Sequence, residues 1–97
     1  MDRAQVIKLL HHHAAPLHER FGVRSVGLFG SAARDELRPD SDIDVLVDFA
    51  SPPTVDGYFG AKDYLEAVLG RTVDLVTSSG LKPRARQHVE RDLVRVA

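Results

Sequence analysis

The sequence predicts a single α/β domain: a small mixed sheet of three to four strands packed with helices. Three observations carry that expectation. Apolar periodicity switches between helical and strand-like along the chain, in the order helix, strand, short helix, strand, helix, strand, helix. The run "DIDVLVDF" (Asp42 to Phe49) alternates strictly at its odd positions, all apolar. Glycine or proline punctuates the changes of period. A chain of 97 residues has room for one core, so residues 1–97 are read as one domain.

Each element has its own signal. Val6, Leu10, Ala14, Leu17 and Phe21 share one helical face, and Asp2 with Gln5 forms an N-terminal capping pair. Pro16 is expected to kink this helix or split off its last turn, and Gly22 to end it. "VRSVGLFG" (Val23 to Gly30) reads as a strand and "SAARDEL" (Ser31 to Leu37) as a short helix, with "RPDS" the turn that follows. In the strand Asp42 to Phe49, Ile43, Val45, Val47 and Phe49 face the core. Asp42, Asp44 and Asp48 share the other face with Leu46. After the breaker "SPPT", a helix is weak at Gly57 and Gly60 and firm from Ala61 to Leu69. "TVDLVT" (Thr72 to Thr77) is a third strand carrying Asp74, and a last helix starts at Pro83. Leu93 to Val96 fit either the end of that helix or a short strand.

Composition narrows the function. The chain is 43% hydrophobic and 28% charged, with a net charge of −1 and no cysteine. A pI near 6.5 argues against direct binding to a nucleic-acid backbone but leaves room for a small anion at a local basic cluster. Without cysteine there is no disulfide frame, thiol nucleophile or cysteine zinc site. Asp2, Arg3 and only short apolar runs speak against a signal peptide or membrane span, so a soluble cytoplasmic protein is expected.

The chemistry concentrates between Gly27 and Phe49. Asp42 and Asp44 point the same way from one strand, with Cα atoms roughly 7 Å apart. Paired divalent cations in phosphoryl-transfer sites sit about 3.5–4 Å apart and need such bridging acids. Mg²⁺ takes few protein carboxylates and leaves the rest of its octahedron to water and substrate phosphates. Exposed acids are common, and a lone Asp-x-Asp means little. Aspartate is a poor strand former, however, and this chain places two in its clearest strand and Asp74 in the next. Upstream, Gly30 allows close backbone approach, and Ser31 can cap the helix or donate to a phosphate at its N-terminus. Arg34, one turn on, fits a bidentate phosphate contact and a solvated helix face equally well.

The run "GSAARDELRPDSDID" resembles the signature of the DNA polymerase beta-like nucleotidyltransferase superfamily: Gly-Ser, ten residues (Ala32 to Ser41), Asp-x-Asp. The chain is most similar to the minimal nucleotidyltransferases, single-domain antitoxins encoded beside a HEPN-domain ribonuclease toxin. The likeness extends over the leading helix, the signature, "GRTVDLVT" and "LKPRARQHVERD".

What the resemblance implies is specific. Asp42, Asp44 and Asp74 would hold two Mg²⁺ ions, with Asp74 also helping to deprotonate the attacking hydroxyl. Gly30, Ser31, Arg34 and Ser41 would bind the nucleotide. The activity implied is transfer of AMP from ATP to a hydroxyl, a tyrosine of the cognate HEPN toxin, as the antitoxin of a toxin–antitoxin pair. The sequence leaves no room for an acceptor-binding domain, in keeping with an acceptor that brings its own surface. Two alternatives stay open: an antitoxin that neutralises its partner by binding alone, and a small-molecule nucleotidyltransferase. The pattern departs at Asp35, where many relatives carry glycine. An acid there would weaken nucleotide binding unless it faces away.

Other features carry less. His11 to His13 and His18 contain no i, i+4 histidine pair, so they are assigned to a surface or partner-facing role rather than to metal. Lys82, Arg84 and Arg86 form a basic cluster, read as a solvated helix start or as a contact with triphosphate or an acidic partner. Tyr58, Phe59 and Tyr64 are assigned to core or interface rather than base stacking.

Overall fold

The structure is a computed structural model describing residues 1–97. Its sheet is organised around β2 (Ile43–Phe49), which pairs antiparallel with β1 (Val23–Phe29) and parallel with β3 (Val73–Thr77). The parallel step needs a crossover, supplied by α4 (Val55–Leu69). A two-residue strand β4 (Val94–Arg95) adds antiparallel to the free edge of β1, giving the order β3-β2-β1-β4. The sheet is thus mixed and four-stranded, and the open reading of Leu93 to Val96 resolves in favour of a strand.

The alternation in β2 does what periodicity predicts. Ile43, Val45 and Val47 are almost wholly buried, with Leu28 of β1 and Val73 and Leu75 of β3 beside them. Val6 and Leu10 of α1 (Arg3–His12), Leu17 of α2 (Ala14–Phe21) and Leu65 of α4 close the same cluster. In β1 a bulge at Arg24 lets both Val23 and Val26 face inward despite their spacing of three. The opposite face, carrying Asp44, Leu46 and Asp48, is partly roofed by α5 (Pro83–Asp92), whose Val89 is buried outside the main cluster.

Several local expectations change. The leading helix breaks at His13 rather than at Pro16, leaving α1 and α2 as separate helices. A proline ring clashes with the carbonyl four residues back, so the break falls before it. Pro16 then sits in the first turn of α2, where its missing N–H needs no partner. The capping box of Asp2 and Gln5 is present. α4 is continuous through Gly57 and Gly60, started by Thr54, whose hydroxyl accepts the Gly57 N–H at 2.9 Å. Gly60 serves close packing: a Cβ there would lie 2.9 Å from Cε1 of Phe21. The helix expected over Ser31 to Leu37 is one turn only, α3 (Gly30–Ala33). It stops because Asp35 takes a left-handed conformation, φ 59°. No helix of the chain is long and apolar enough to cross a membrane.

Candidate active site

The parallel register of β2 and β3 sets Asp44 directly beside Asp74, and the antiparallel register of β1 sets Phe29 on its other flank. Paired strands lie about 4.8 Å apart, so the two aspartates project side by side from one face. Asp42 is exposed and lies one residue ahead of β2. Partial burial, then the charges of Asp74 and Asp42, push the Asp44 carboxyl up to about 6, with a smaller opposing pull from Arg34.

Gly30 sits against this pair. Its φ is 69°, and a Cβ there would collide with Oδ2 of Asp44 and stand 3.0 Å from its Cγ. Only glycine combines that backbone angle with that approach. Ser31 is the second residue of α3, and Phe29 occupies the cap position, so Ser31 does not cap the helix as expected. A single turn carries little macrodipole, so any phosphate held here depends on individual N–H and hydroxyl groups.

Arg34 and Ser41 both have partners within the chain. The Arg34 guanidinium donates to Asp92 at 2.6 Å and to Glu36 at 3.3 Å, bonds that raise its pKa. Ser41 shapes the turn before Asp42: its hydroxyl accepts the Arg38 N–H at 3.2 Å, and its N–H donates to the Arg38 carbonyl at 3.0 Å. Asp35 is turned away from Gly30. Its carboxylate accepts the Arg3 N–H at the start of α1, at 2.9 Å.

The donor set suits a hard divalent cation. All three candidate ligands offer carboxylate oxygens, and a cation among them would favour the ionised form of Asp44 against both its partial burial and its acidic neighbours. No three histidine, cysteine, aspartate or glutamate side chains already converge on one point. Gathered acids without a cation would repel, and a two-acid Mg²⁺ site leaves most positions to water and phosphate.

A nucleotidyltransferase domain model matches residues 13–96, most of the chain. The chain belongs to that family. It is a nucleotidyltransferase, with 45% identity over 92 residues to the protein adenylyltransferase MntA of Thermococcus cleftensis, covering 95% of this chain and 93% of the relative. A solved structure provisionally described as a minimal nucleotidyltransferase superposes with a TM-score of 0.80 at 38% identity, covering 97% of this chain and 95% of that one. A complex of tri-AMPylated Shewanella oneidensis HEPN toxin with MNT antitoxin contains a chain matching at TM-score 0.69 and 20% identity, over 94% of this chain and 71% of that one. This last likeness concerns the fold.

Seen as a nucleotidyltransferase, the chain brings Asp44, Asp74 and Gly30 together, keeps Asp42 adjacent, and ties Arg34 to α5. Sequence reasoning missed Arg71, whose guanidinium donates to the carbonyls of Arg38 and, at 2.8 Å, Ser41. It staples the loop before Asp42 to the loop before Asp74. Also missed was a cleft of about 280 Å³ beyond Gly30, bordered by Arg34, His88, Arg91 and Asp92. The signal for it was present in "HVERD" but needed the fold to place α5. Of the features given little weight, Tyr64 shares a hydrogen bond of 2.7 Å with His13 Nδ1, and Arg86 donates to the Ser78 carbonyl at 3.0 Å. Tyr58 donates to the Leu75 carbonyl, while Phe59 is exposed.

Proposed function

We propose that this nucleotidyltransferase transfers AMP from ATP, with Mg²⁺, to a hydroxyl of a HEPN-domain ribonuclease toxin, a tyrosine, and so acts as its antitoxin. The observation that carries the reading is the in-register pair Asp44–Asp74 against Gly30, with Asp42 beside it. Support for AMP and for the partner comes from the adenylyltransferase relative and from the AMPylated HEPN toxin complex of the same fold.

Asp42, Asp44 and Asp74 would hold the metal, which when bound neutralises charge developing on the α-phosphate and leaving group. Asp74 is exposed on the edge strand, and in this reading it would take the proton of the attacking hydroxyl. The acceptor oxygen–α-phosphorus bond forms as the bond to the β-phosphate oxygen breaks, and pyrophosphate leaves. Gly30 brings its backbone to the phosphate side of Asp44, and Ser31 offers a hydroxyl beside it. Catalysis of this kind is positioning plus electrostatics, and rigid β-strands supply the positioning.

The test is transfer of label from α-labelled ATP with Mg²⁺ to a HEPN-domain protein supplied as the acceptor. The expected result is one labelled acceptor, lost with Asp42→Asn/Asp44→Asn and removed by changing the acceptor tyrosine to phenylalanine. If the double variant silences the toxin in cells as well as wild type does, neutralisation by binding replaces the catalytic reading.

A further inference from the structure

The cleft beyond Gly30 contains two guanidinium groups, Arg34 and Arg91, one imidazole, His88, and one carboxylate, Asp92. Their engagements differ. Arg34 is committed to Asp92 and Glu36. The side chains of His88 and Arg91, both exposed, have no hydrogen-bond or ion-pair partner in the chain. They lie three apart on α5, so they project as neighbours from one side of the helix. Asp92 is only 20% exposed and is spent on Arg34, leaving the accessible charge of the cleft positive. Gly30 borders this cleft and touches the Asp44 carboxylate as well. The cationic cleft therefore begins where the carboxylate pair ends.

We propose that His88 and Arg91 form the subsite for the pyrophosphoryl end of the nucleotide, and that Arg34 is held by Asp92 as one wall of it. The inference rests on the nucleotidyltransfer reading above. It differs from the sequence expectation, which gave phosphate recognition to Arg34 and read Lys82, Arg84 and Arg86 as a solvated helix start or as a contact with triphosphate or an acidic partner. Arg86 is bonded to the Ser78 carbonyl, and none of those three residues borders the cleft. A free guanidinium binds phosphate oxygens with two parallel hydrogen bonds, and a leaving group that gains charge during transfer benefits most from it. The α-phosphate then falls toward Asp44, and the two terminal phosphates toward α5.

The experiment compares binding of ATP and of AMP, each with Mg²⁺ and without acceptor, by titration calorimetry on wild type, His88→Ala, Arg91→Ala and Arg91→Lys. Wild type should bind ATP more tightly than AMP. Arg91→Ala should weaken ATP by roughly ten- to a hundredfold, the size of a charge-assisted contact, while leaving AMP unchanged. His88→Ala should act in the same direction and more weakly, and Arg91→Lys should restore part of the loss. Both side chains are exposed, so the thermal midpoint should stay put, separating a binding loss from misfolding. If wild type transfers AMP but Arg91→Ala binds ATP normally, the subsite is wrong and the reading beneath it survives. A wild type that neither binds ATP nor transfers AMP overturns both. If Arg34→Ala alone loses ATP, Arg34 leaves Asp92 to serve the phosphates, and the assignment to α5 fails.

Discussion

Asp44 on β2 stands opposite Asp74 on β3 in parallel register, so the charge of Asp74 bears on the Asp44 carboxyl across neighbouring strands. The sequence placed these residues 30 apart, and only the pairing of their strands makes them a site. Their proximity has a cost in the metal-free protein, and that cost has a sign.

The Asp44 carboxyl is raised from 3.8 to about 6, so the folded chain holds that proton more tightly than the unfolded chain. Its contribution to stability is complete below pH 3.8 and lost as pH climbs through about 6. Above that window the ionised side chain destabilises the fold, by about 1 kcal/mol once solvent screening of a half-exposed group is discounted. Asp44→Asn should therefore raise the melting temperature in EDTA at pH 7.5, with the gain shrinking toward pH 4. Calorimetry at the two pH values decides; equal shifts at both would mean that ionisation of Asp44 is not the cause.

The same repulsion is what a cation relieves. Mg²⁺ at about ten times its dissociation constant should stabilise wild type at pH 7.5 by about 1.4 kcal/mol, from the mass-action relation for a ligand that binds only the folded state. Asp44→Asn and Asp74→Asn should lose most of this gain. The measurement is the midpoint of thermal unfolding against Mg²⁺ concentration, and an unchanged response in both variants removes these residues from the metal site.

Gly30 tolerates no side chain for two separable reasons: its φ of 69° and its approach to the Asp44 carboxylate. Gly30→Ala should destabilise the fold by about 1–3 kcal/mol and reduce transfer beyond what unfolding explains. In an Asp44→Ala background the collision with the carboxylate is gone and only a Cβ–Cβ approach of 3.3 Å is left, so the same substitution should cost little beyond the backbone strain. A urea-unfolding double-mutant cycle measures the difference, and additive effects would show that the carboxylate contact contributes nothing.

How much of this was legible in the sequence follows from the range of each interaction. The alternation of β2 is a local pattern, and it placed Ile43, Val45 and Val47 in the core and Asp44 on the other face without help from the fold. The Gly-Ser to Asp-x-Asp spacing likewise pointed to Gly30 and Asp44, which the fold brings into contact. Long-range pairings were not readable: Arg34 meets Asp92 across 58 residues and Arg71 meets Ser41 across 30, and nothing local marks either bond. Backbone angle was hidden as well. Asp35 looked like a foreign charge near a phosphate, whereas its φ of 59° is a left-handed conformation that glycine, asparagine and aspartate adopt most readily.

Asp35 tests that account. Asparagine, aspartate and glycine tolerate its left-handed conformation better than other residues do, and its carboxylate also caps the Arg3 N–H. Asp35→Ala loses the cap while keeping the strain, and should cost about 1–2 kcal/mol. Asp35→Gly loses the cap but relieves the strain, so its stability should stay closer to wild type. Because the carboxylate faces α1, Asp35→Gly should leave the KM for ATP unchanged. A several-fold fall in KM would show that the acid does reach the nucleotide.

Arg71 is the residue whose role depends most on the fold being assembled. Its guanidinium donates to the carbonyls of Arg38 and Ser41, closing the turn that delivers Asp42 to the head of β2. The Thr72 carbonyl next to it accepts the Ile43 N–H at 3.0 Å, so the loops before Asp42 and Asp74 are joined by side chain and backbone together. Removing the side chain leaves the backbone link and the core intact. Arg71→Ala should therefore cost only about 1 kcal/mol of stability, the net value of ordinary hydrogen bonds. Its larger effect should fall on kcat, about tenfold, because a displacement of Asp42 by a fraction of an ångström disturbs positioning more than it disturbs folding. KM for ATP should change little, since neither Gly30 nor α5 depends on Arg71. Steady-state kinetics with the partner protein as acceptor separates the two parameters. A rise in KM at constant kcat would move Arg71 from holding the carboxylate loop to binding the nucleotide.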